Sequence, residues 1–141
     1  MGHVQIDLQR HGSGPDAFFL ADPAGRAALE PILERLIAER RRRASFLPGG
    51  LFSDPAWDIL LAMALADARQ QRLTICNLCD RVDAPPTTAL RWIATLTEAG
   101  LLVRFDDATD RRRKYLELSL DTRARMAAYC SAVATPAATA A

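Results

Sequence analysis

The feature that most constrains the fold is a pair of short amphipathic segments separated by a three-residue break. The first segment follows Thr74, a residue type favoured immediately before a helix. Its apolar residues have the i, i+3, i+4, i+7 spacing of one helix face; they are Ile75, Leu78, Cys79 and Val82. Within the break, Asp83-Ala84-Pro85, the last residue precedes a second proline and is therefore disfavoured in helical backbone. The pattern predicts a helix, a tight turn and a second helix.

The second helix is predicted over residues 86–99 of the stretch PPTTALRWIATLTEAGLLVR, which covers residues 85–104. Pro86 suits the first helical position, because its missing N–H costs no hydrogen bond there. Gly100 is expected to end the helix in a left-handed conformation. The apolar face again follows helical spacing and is predicted to be core; it consists of Ala89, Trp92, Ile93 and Leu96.

The remaining face of this helix is polar and suits a DNA major groove. An arginine can bind O6 and N7 of guanine together, and a threonine reaches a phosphate or a thymine methyl group. The helix N-terminus, which begins at Pro86, also favours a phosphate. We therefore predict DNA contacts from Pro86, Thr87, Thr88, Arg91 and Thr95. The alternative is a solvated helix face without a partner.

A β-hairpin with a charged loop is predicted next. Residues 101–105 are a strand candidate, and residues 114–118 alternate with period two. The loop between them, about residues 106–114, is predicted to follow the DNA backbone or to enter a minor groove. Its candidate contacts are Asp110, Arg111, Arg112, Arg113 and Lys114. The order of elements predicts a mainly α fold with a small β-hairpin, which is a winged helix-turn-helix.

The rest of the chain divides into flanking segments. Residues 1–21 show no periodicity and are interpreted as an irregular arm. Residues 22–50 contain a helix that is a possible dimerisation element, with an apolar stripe at Leu29, Ile32, Leu33 and Leu36 and an exposed end at Arg40 to Arg43. Residues 51–120 form the predicted DNA-binding domain, and its first helix begins at Asp54-Pro55. Residues 121–141 are predicted to be a C-terminal helix, stopped by Pro136, and a frayed tail.

From about Leu51 to Met126 the sequence resembles the winged helix domain of multiple-antibiotic-resistance (MarR-type) transcriptional regulators. The resemblance rests on PPTTALRWIATLTEAGLLVR and on DATDRRRKYLELS with its following helix. It implies a homodimeric transcription factor, often relieved by a small-molecule effector or by oxidation. It also implies that Asp110 fixes the wing and that Arg112 approaches DNA. The short C-terminal helix departs from the family, so we expect dimerisation to rely more on residues 23–46.

Composition and cysteine spacing narrow the alternatives. A net charge of +1 excludes a uniformly basic nucleic-acid-coating protein and leaves a winged helix protein-interaction module open. Cys76 and Cys79 form a C-x-x-C pair, but zinc needs about four ligands, and the other candidates are not suitably spaced. We interpret Cys79 as core and Cys76 as accessible, which leaves a thiol-responsive DNA-binding sensor as a further alternative.

No arrangement in the sequence predicts catalysis or a bound cofactor. A nucleophile with a base and an orienting group is absent from the sequence pattern, as is a glycine-rich phosphate loop. The expectation is therefore a protein that is not an enzyme and holds neither a metal nor a cofactor. Because no signal peptide or membrane segment is predicted, we expect a cytoplasmic protein without a membrane partner, whose main partner is double-stranded DNA.

Overall fold

The computed structural model describes residues 23–47 and 53–134, which contain five helices and three strands. Their order is α1 (Pro23–Phe46), α2 (Pro55–Ala68), β1 (Leu73–Thr74), α3 (Ile75–Arg81), α4 (Pro86–Glu98), β2 (Leu102–Asp106), β3 (Lys114–Leu118) and α5 (Leu120–Ala134). This order confirms the predicted mainly helical fold with a hairpin. The predicted arm at residues 1–21 and the stop at Pro136 lie outside the described residues.

The three strands form one antiparallel sheet in the order β1-β3-β2. In the hairpin, Leu102 lies opposite Leu118, and Phe105 lies opposite Tyr115. Strand β1 was not predicted, because its two residues are too short to show a period. It pairs Leu73 with Leu116 and so ties the start of α3 to the hairpin.

Helix α2 is the centre of the core and is buried on several sides. It begins where the sequence predicted, since the Asp54 carboxylate accepts a hydrogen bond from the Trp57 N–H at 3.3 Å and Pro55 takes the first position. Both faces are covered because α1, α3, α4 and β3 all pack against this helix. Its buried residues are Ile59, Leu61, Ala62, Met63, Ala64, Leu65 and Ala66.

Helix α1 packs along α2 through the predicted stripe. Leu33 is the fully buried member, with 1% of its surface exposed, and the other stripe residues are partly buried against the core. Pro31 lies inside this helix. Arg40 was predicted to be exposed with the rest of the arginine run, and this is wrong. Its guanidinium forms an ion pair with Asp58 of α2 that is largely shielded from solvent.

Helix α5 closes the core from the other end of the chain. Met126 and Cys130 are buried, while Tyr129 remains 42% exposed and packs the edge of its ring against Trp57, with centroids 5.0 Å apart. Arg123 donates to Asp67 of α2 at 2.8 Å. Burial raises the pKa of the Asp67 carboxyl, and Arg123 opposes that shift. None of the helices in the described ranges is long and apolar enough to span a membrane.

Replacing Leu33 tests the docking of α1 on α2. We expect Leu33→Ala to lower the free energy of unfolding by about 2–5 kcal/mol, because it removes a fully buried side chain and leaves a cavity. Urea denaturation followed by circular dichroism measures the change. Leu90→Ala is the matched control, since Leu90 is 47% exposed and its truncation should cost little. A loss below about 1 kcal/mol at Leu33 would mean that α1 does not pack in the core.

Candidate nucleic-acid interface

Helix α4 begins and ends where the sequence predicted. Pro85 has extended backbone, with φ −54° and ψ 142°, and Pro86 opens the helix. At the other end Gly100 has φ 80°, a left-handed conformation that glycine adopts without a side-chain clash. The chain turns there through a hydrogen bond from the Leu101 N–H to the Leu96 carbonyl at 2.9 Å. Local signals therefore fix both ends of α4.

The polar face of α4 is presented to solvent, as predicted. Ala89, Ile93 and Leu96 are buried on the opposite side. The exposed side chains of the polar face include Pro86, Thr87, Arg91 and Thr95, and Thr88 is half-buried. Within the described part of the chain Arg91 makes no ion pair, so its guanidinium is available to a partner. The Thr95 hydroxyl donates to the Arg91 carbonyl at 3.0 Å, which leaves its methyl group and oxygen lone pairs exposed.

The prediction that Trp92 lies in the core is wrong. Its side chain is 38% exposed, while Ile93 and Leu96 beside it are buried. Helix α4 packs against α2, α3 and β2, and the Trp92 ring, at the margin of the apolar stripe, extends into solvent. Leu90 is exposed on the other margin. The polar face is thus flanked by two apolar side chains.

The hairpin loop is shaped by two aspartates. Asp107 accepts from the Thr109 N–H at 2.9 Å and from the Thr109 hydroxyl at 3.0 Å. Asp110 accepts from the Arg112 N–H at 3.0 Å through its side chain and from the Arg113 N–H at 3.0 Å through its carbonyl. These are local turns of the Asx type, in which a side-chain carboxylate replaces a backbone acceptor. The structure therefore gives Asp110 a bracing role in the loop.

The cations of the loop fall into two groups. Arg111, Arg112 and Arg113 are exposed and form no ion pair within the described residues. Lys114 is half-buried at the base of β3, where its ammonium pairs with Asp106 across the hairpin. The structure brings the three arginines together at the tip and separates Lys114 from them. Tyr115, which the sequence did not indicate, braces the loop by donating to Asp107 at 3.4 Å.

The cysteines do not assemble into a metal centre within the part of the chain that the structure describes. Cys76 is exposed, Cys79 is partly buried against the core, and Cys130 is buried, in agreement with the predicted placement of the C-x-x-C pair. Burial raises the pKa of the Cys79 and Cys130 thiols. The described residues contain no group of three or more histidine, cysteine, aspartate or glutamate side chains that could hold a metal.

Titration of Asp107 tests the loop geometry. Hydrogen bonds from the Thr109 N–H and hydroxyl hold the pKa of Asp107 below its ordinary value of 3.8. A lowered folded-state pKa adds stability that is complete above the ordinary value and is lost as the pH falls through the lowered one. We expect carboxyl NMR titration to show this low midpoint, and Thr109→Ala to raise it by removing the hydroxyl bond. Thr109→Ser, which keeps the hydroxyl, should not. An ordinary midpoint in the unaltered chain would contradict the geometry.

Comparisons with known proteins agree with this arrangement. Residues 62–119 match the family model described as a winged helix DNA-binding domain. No significant match is found among curated proteins. The structure is similar to that of MepR from S. aureus in its DNA-binding conformation, with a TM-score of 0.51 and 20% identity over 72% of this chain and 74% of that chain.

Two further solved structures share lower similarity. The adhesin competence repressor AdcR from Streptococcus pyogenes has 22% identity over 75% of this chain and 72% of that chain, with a TM-score of 0.47. BpsR from Bordetella bronchiseptica, whose DNA binding is regulated by 6-hydroxynicotinic acid, has 18% identity over 74% and 78%, with a TM-score of 0.43. The family match and the MepR fold confirm the resemblance that the sequence indicated. Residues 62–119 therefore match winged helix DNA-binding domains, and the described residues share the fold of MepR.

Proposed function

We propose that this chain regulates transcription by binding double-stranded DNA sequence-specifically as a homodimer, with α4 in the major groove. The observation that carries the proposal is the division of α4 into two opposite faces. Three residues of one face are buried, while Thr87, Arg91 and Thr95 of the other are exposed beside an arginine-rich loop. The function is occupancy of a DNA site, and we infer no catalytic step.

The charges on α4 favour one orientation in the groove. Arg91 lies near the middle of the helix, and Glu98 lies seven residues later on the same exposed face. Phosphate is repelled by the carboxylate of Glu98. It is attracted by the free N–H groups at the helix N-terminus. The N-terminal half of α4, from Pro86 to Arg91, is therefore the half that we propose enters the groove. Thr87 and Thr88 would accompany Arg91 there.

The loop of residues 106–114 has the properties of a wing that contacts the DNA backbone. Its aspartates accept bonds from the loop's own backbone, and Asp106 pairs with Lys114 at its base. The positive charge that remains exposed comes from Arg111, Arg112 and Arg113. We propose that these three contact phosphates or a narrow minor groove, and that Asp110 holds their backbone in place. Lys114 would act through its pair with Asp106.

Dimerisation is proposed to involve α1. The fold places α1 on the outside of α2, with a partly buried inner stripe and an exposed outer side. A dimer with two-fold symmetry would place two copies of α4 on inverted half-sites. A small-molecule effector is part of this proposal only by analogy with BpsR. A protein that binds chromosomal DNA would act in the cytoplasm, so the expected location is likewise a proposal.

A selection from random duplexes tests sequence-specific binding and the role of Arg91. The purified protein should enrich an inverted repeat whose half-sites lie about one helical turn apart. Arg91→Ala should weaken binding to that site by about 1–3 kcal/mol and relax the preference at one position, if Arg91 contacts guanine. Arg125→Ala on α5 is the matched control and should change neither. If nothing is enriched, sequence-specific binding is wrong and a protein-interaction role gains support.

The wing is tested separately by the salt dependence of binding. Arg112→Ala should weaken binding to enriched and unrelated duplexes alike, because a phosphate contact carries no sequence information. The slope of log affinity against log salt should decrease by about one. Fluorescence anisotropy over a series of salt concentrations measures both quantities. An effect confined to the enriched sequence would show that Arg112 contacts a base.

The homodimer is tested by light scattering coupled to size exclusion. We expect a mass twice the 15.5 kDa of the chain at micromolar concentration. The measurement is repeated with the enriched duplex, on which two copies should bind per inverted repeat. A mass of one chain, in the free state and on DNA, would overturn the dimer while leaving the major-groove contact of α4 to be judged by the selection.

A further inference from the structure

Helix α3 carries two thiols that the proposed function does not use. Cys76 is exposed on its first turn, and Cys79 is partly buried three residues later. Side chains three residues apart on a helix are neighbours, with Cβ atoms about 5–6 Å apart. The two sulfur atoms can therefore reach a shared atom without any change in the helix.

The helix holds this pair in a defined position. At its start the Thr74 hydroxyl oxygen accepts from the Asn77 N–H at 3.1 Å. Leu78, between the two cysteines, is fully buried and fixes the rotation of the helix. At the end, the Val82 N–H donates to the Cys79 carbonyl at 3.4 Å. Cys79 is only partly buried, so part of its surface stays within reach of a ligand bound at Cys76.

The number of available ligands decides which kind of metal or metalloid centre the two cysteines can bind. Tetrahedral zinc needs four ligands, and the described residues offer no group of even three. Two sulfurs satisfy a centre that forms two bonds to thiols and has a preference for soft ligands. A monosubstituted trivalent arsenical, R–As(OH)₂, is such a centre.

We propose that Cys76 and Cys79 form a dithiol site that binds monosubstituted trivalent arsenicals. Two As–S bonds form, while two As–O bonds and two S–H bonds break. The two thiol protons leave with the two hydroxyl groups as two molecules of water. Arsenic remains trivalent and neither sulfur is oxidised, so the reaction needs no oxidant or reductant.

The order of the two bonds follows from burial. Cys76 is exposed and bonds first, and Cys79 then closes the ring from its partly buried position. Because the second thiol is already on the same helix, it acts at an effective concentration on the order of millimolar or higher. A free monothiol has no such advantage, so the closed adduct resists it. Cys130 on α5 is buried away from solvent and takes no part.

The test uses phenylarsine oxide and intact-protein mass spectrometry under non-denaturing labelling conditions. The proteins are the unaltered chain, Cys76→Ser, Cys79→Ser, and Cys130→Ala as the matched control, each checked for folding by circular dichroism. After labelling, each sample is challenged with excess 2-mercaptoethanol and, separately, with 2,3-dimercaptopropanol.

We expect one adduct per chain in the unaltered protein and in Cys130→Ala. That adduct should survive the monothiol and be removed by the dithiol. Cys76→Ser and Cys79→Ser should each lose their adduct to the monothiol. Loss of the adduct from the unaltered chain in monothiol, or its survival in either serine variant, would overturn the proposal. The readout is independent of DNA, so failure here leaves the proposed function untouched.

Discussion

The burial of α2 determines how the other described elements are arranged. Every residue from Leu61 to Ala66 is shielded from solvent, which requires neighbours on several sides of one helix. Helix α1 covers one side, α3 and α4 cover another, and β3 packs along it. The ion pair between Asp67 and Arg123 adds α5. Because α4 docks on this central helix through Ala89, Ile93 and Leu96, the orientation of its polar face follows from the core.

The charged residues of the loop at 106–114 have two roles, because the acidic residues stabilise the hairpin and the arginines stay exposed to solvent. A net charge of +1 would suggest that acids cancel the arginines of the loop. Instead, Asp107 and Asp110 accept bonds from the loop's own residues, and Asp106 is paired with Lys114. The acids shape the hairpin, and the guanidinium groups of residues 111–113 stay exposed. A nearly neutral chain can therefore present a concentrated positive surface where DNA contact is proposed.

Sequence signals predicted those features that depend on a few neighbouring residues. The cap at Thr74, the proline at position 86 and the left-handed Gly100 each follow from local backbone chemistry. Strand β1 escaped prediction because a two-residue pairing with β3 has no local signal. The predicted exposure of Arg40 and the predicted burial of Trp92 were wrong for a related reason. Their exposure depends on which helix packs beside them, and Asp58 lies 18 residues from Arg40 along the chain.

The exposure of Trp92 and Leu90 changes the chemistry available to α4. Apart from the methyl groups of its threonines, the polar face offers little apolar surface to thymine methyl groups and sugar carbons in the groove. Leu90 and Trp92 lie on opposite margins of the face that carries Thr87 and Arg91. Isolated apolar side chains on a surface are common, but these two border a polar face that has no ion-pair partner within the described residues. In the proposed complex they would shield the hydrogen bonds of Arg91 from water, which strengthens a charged contact because the local dielectric constant falls.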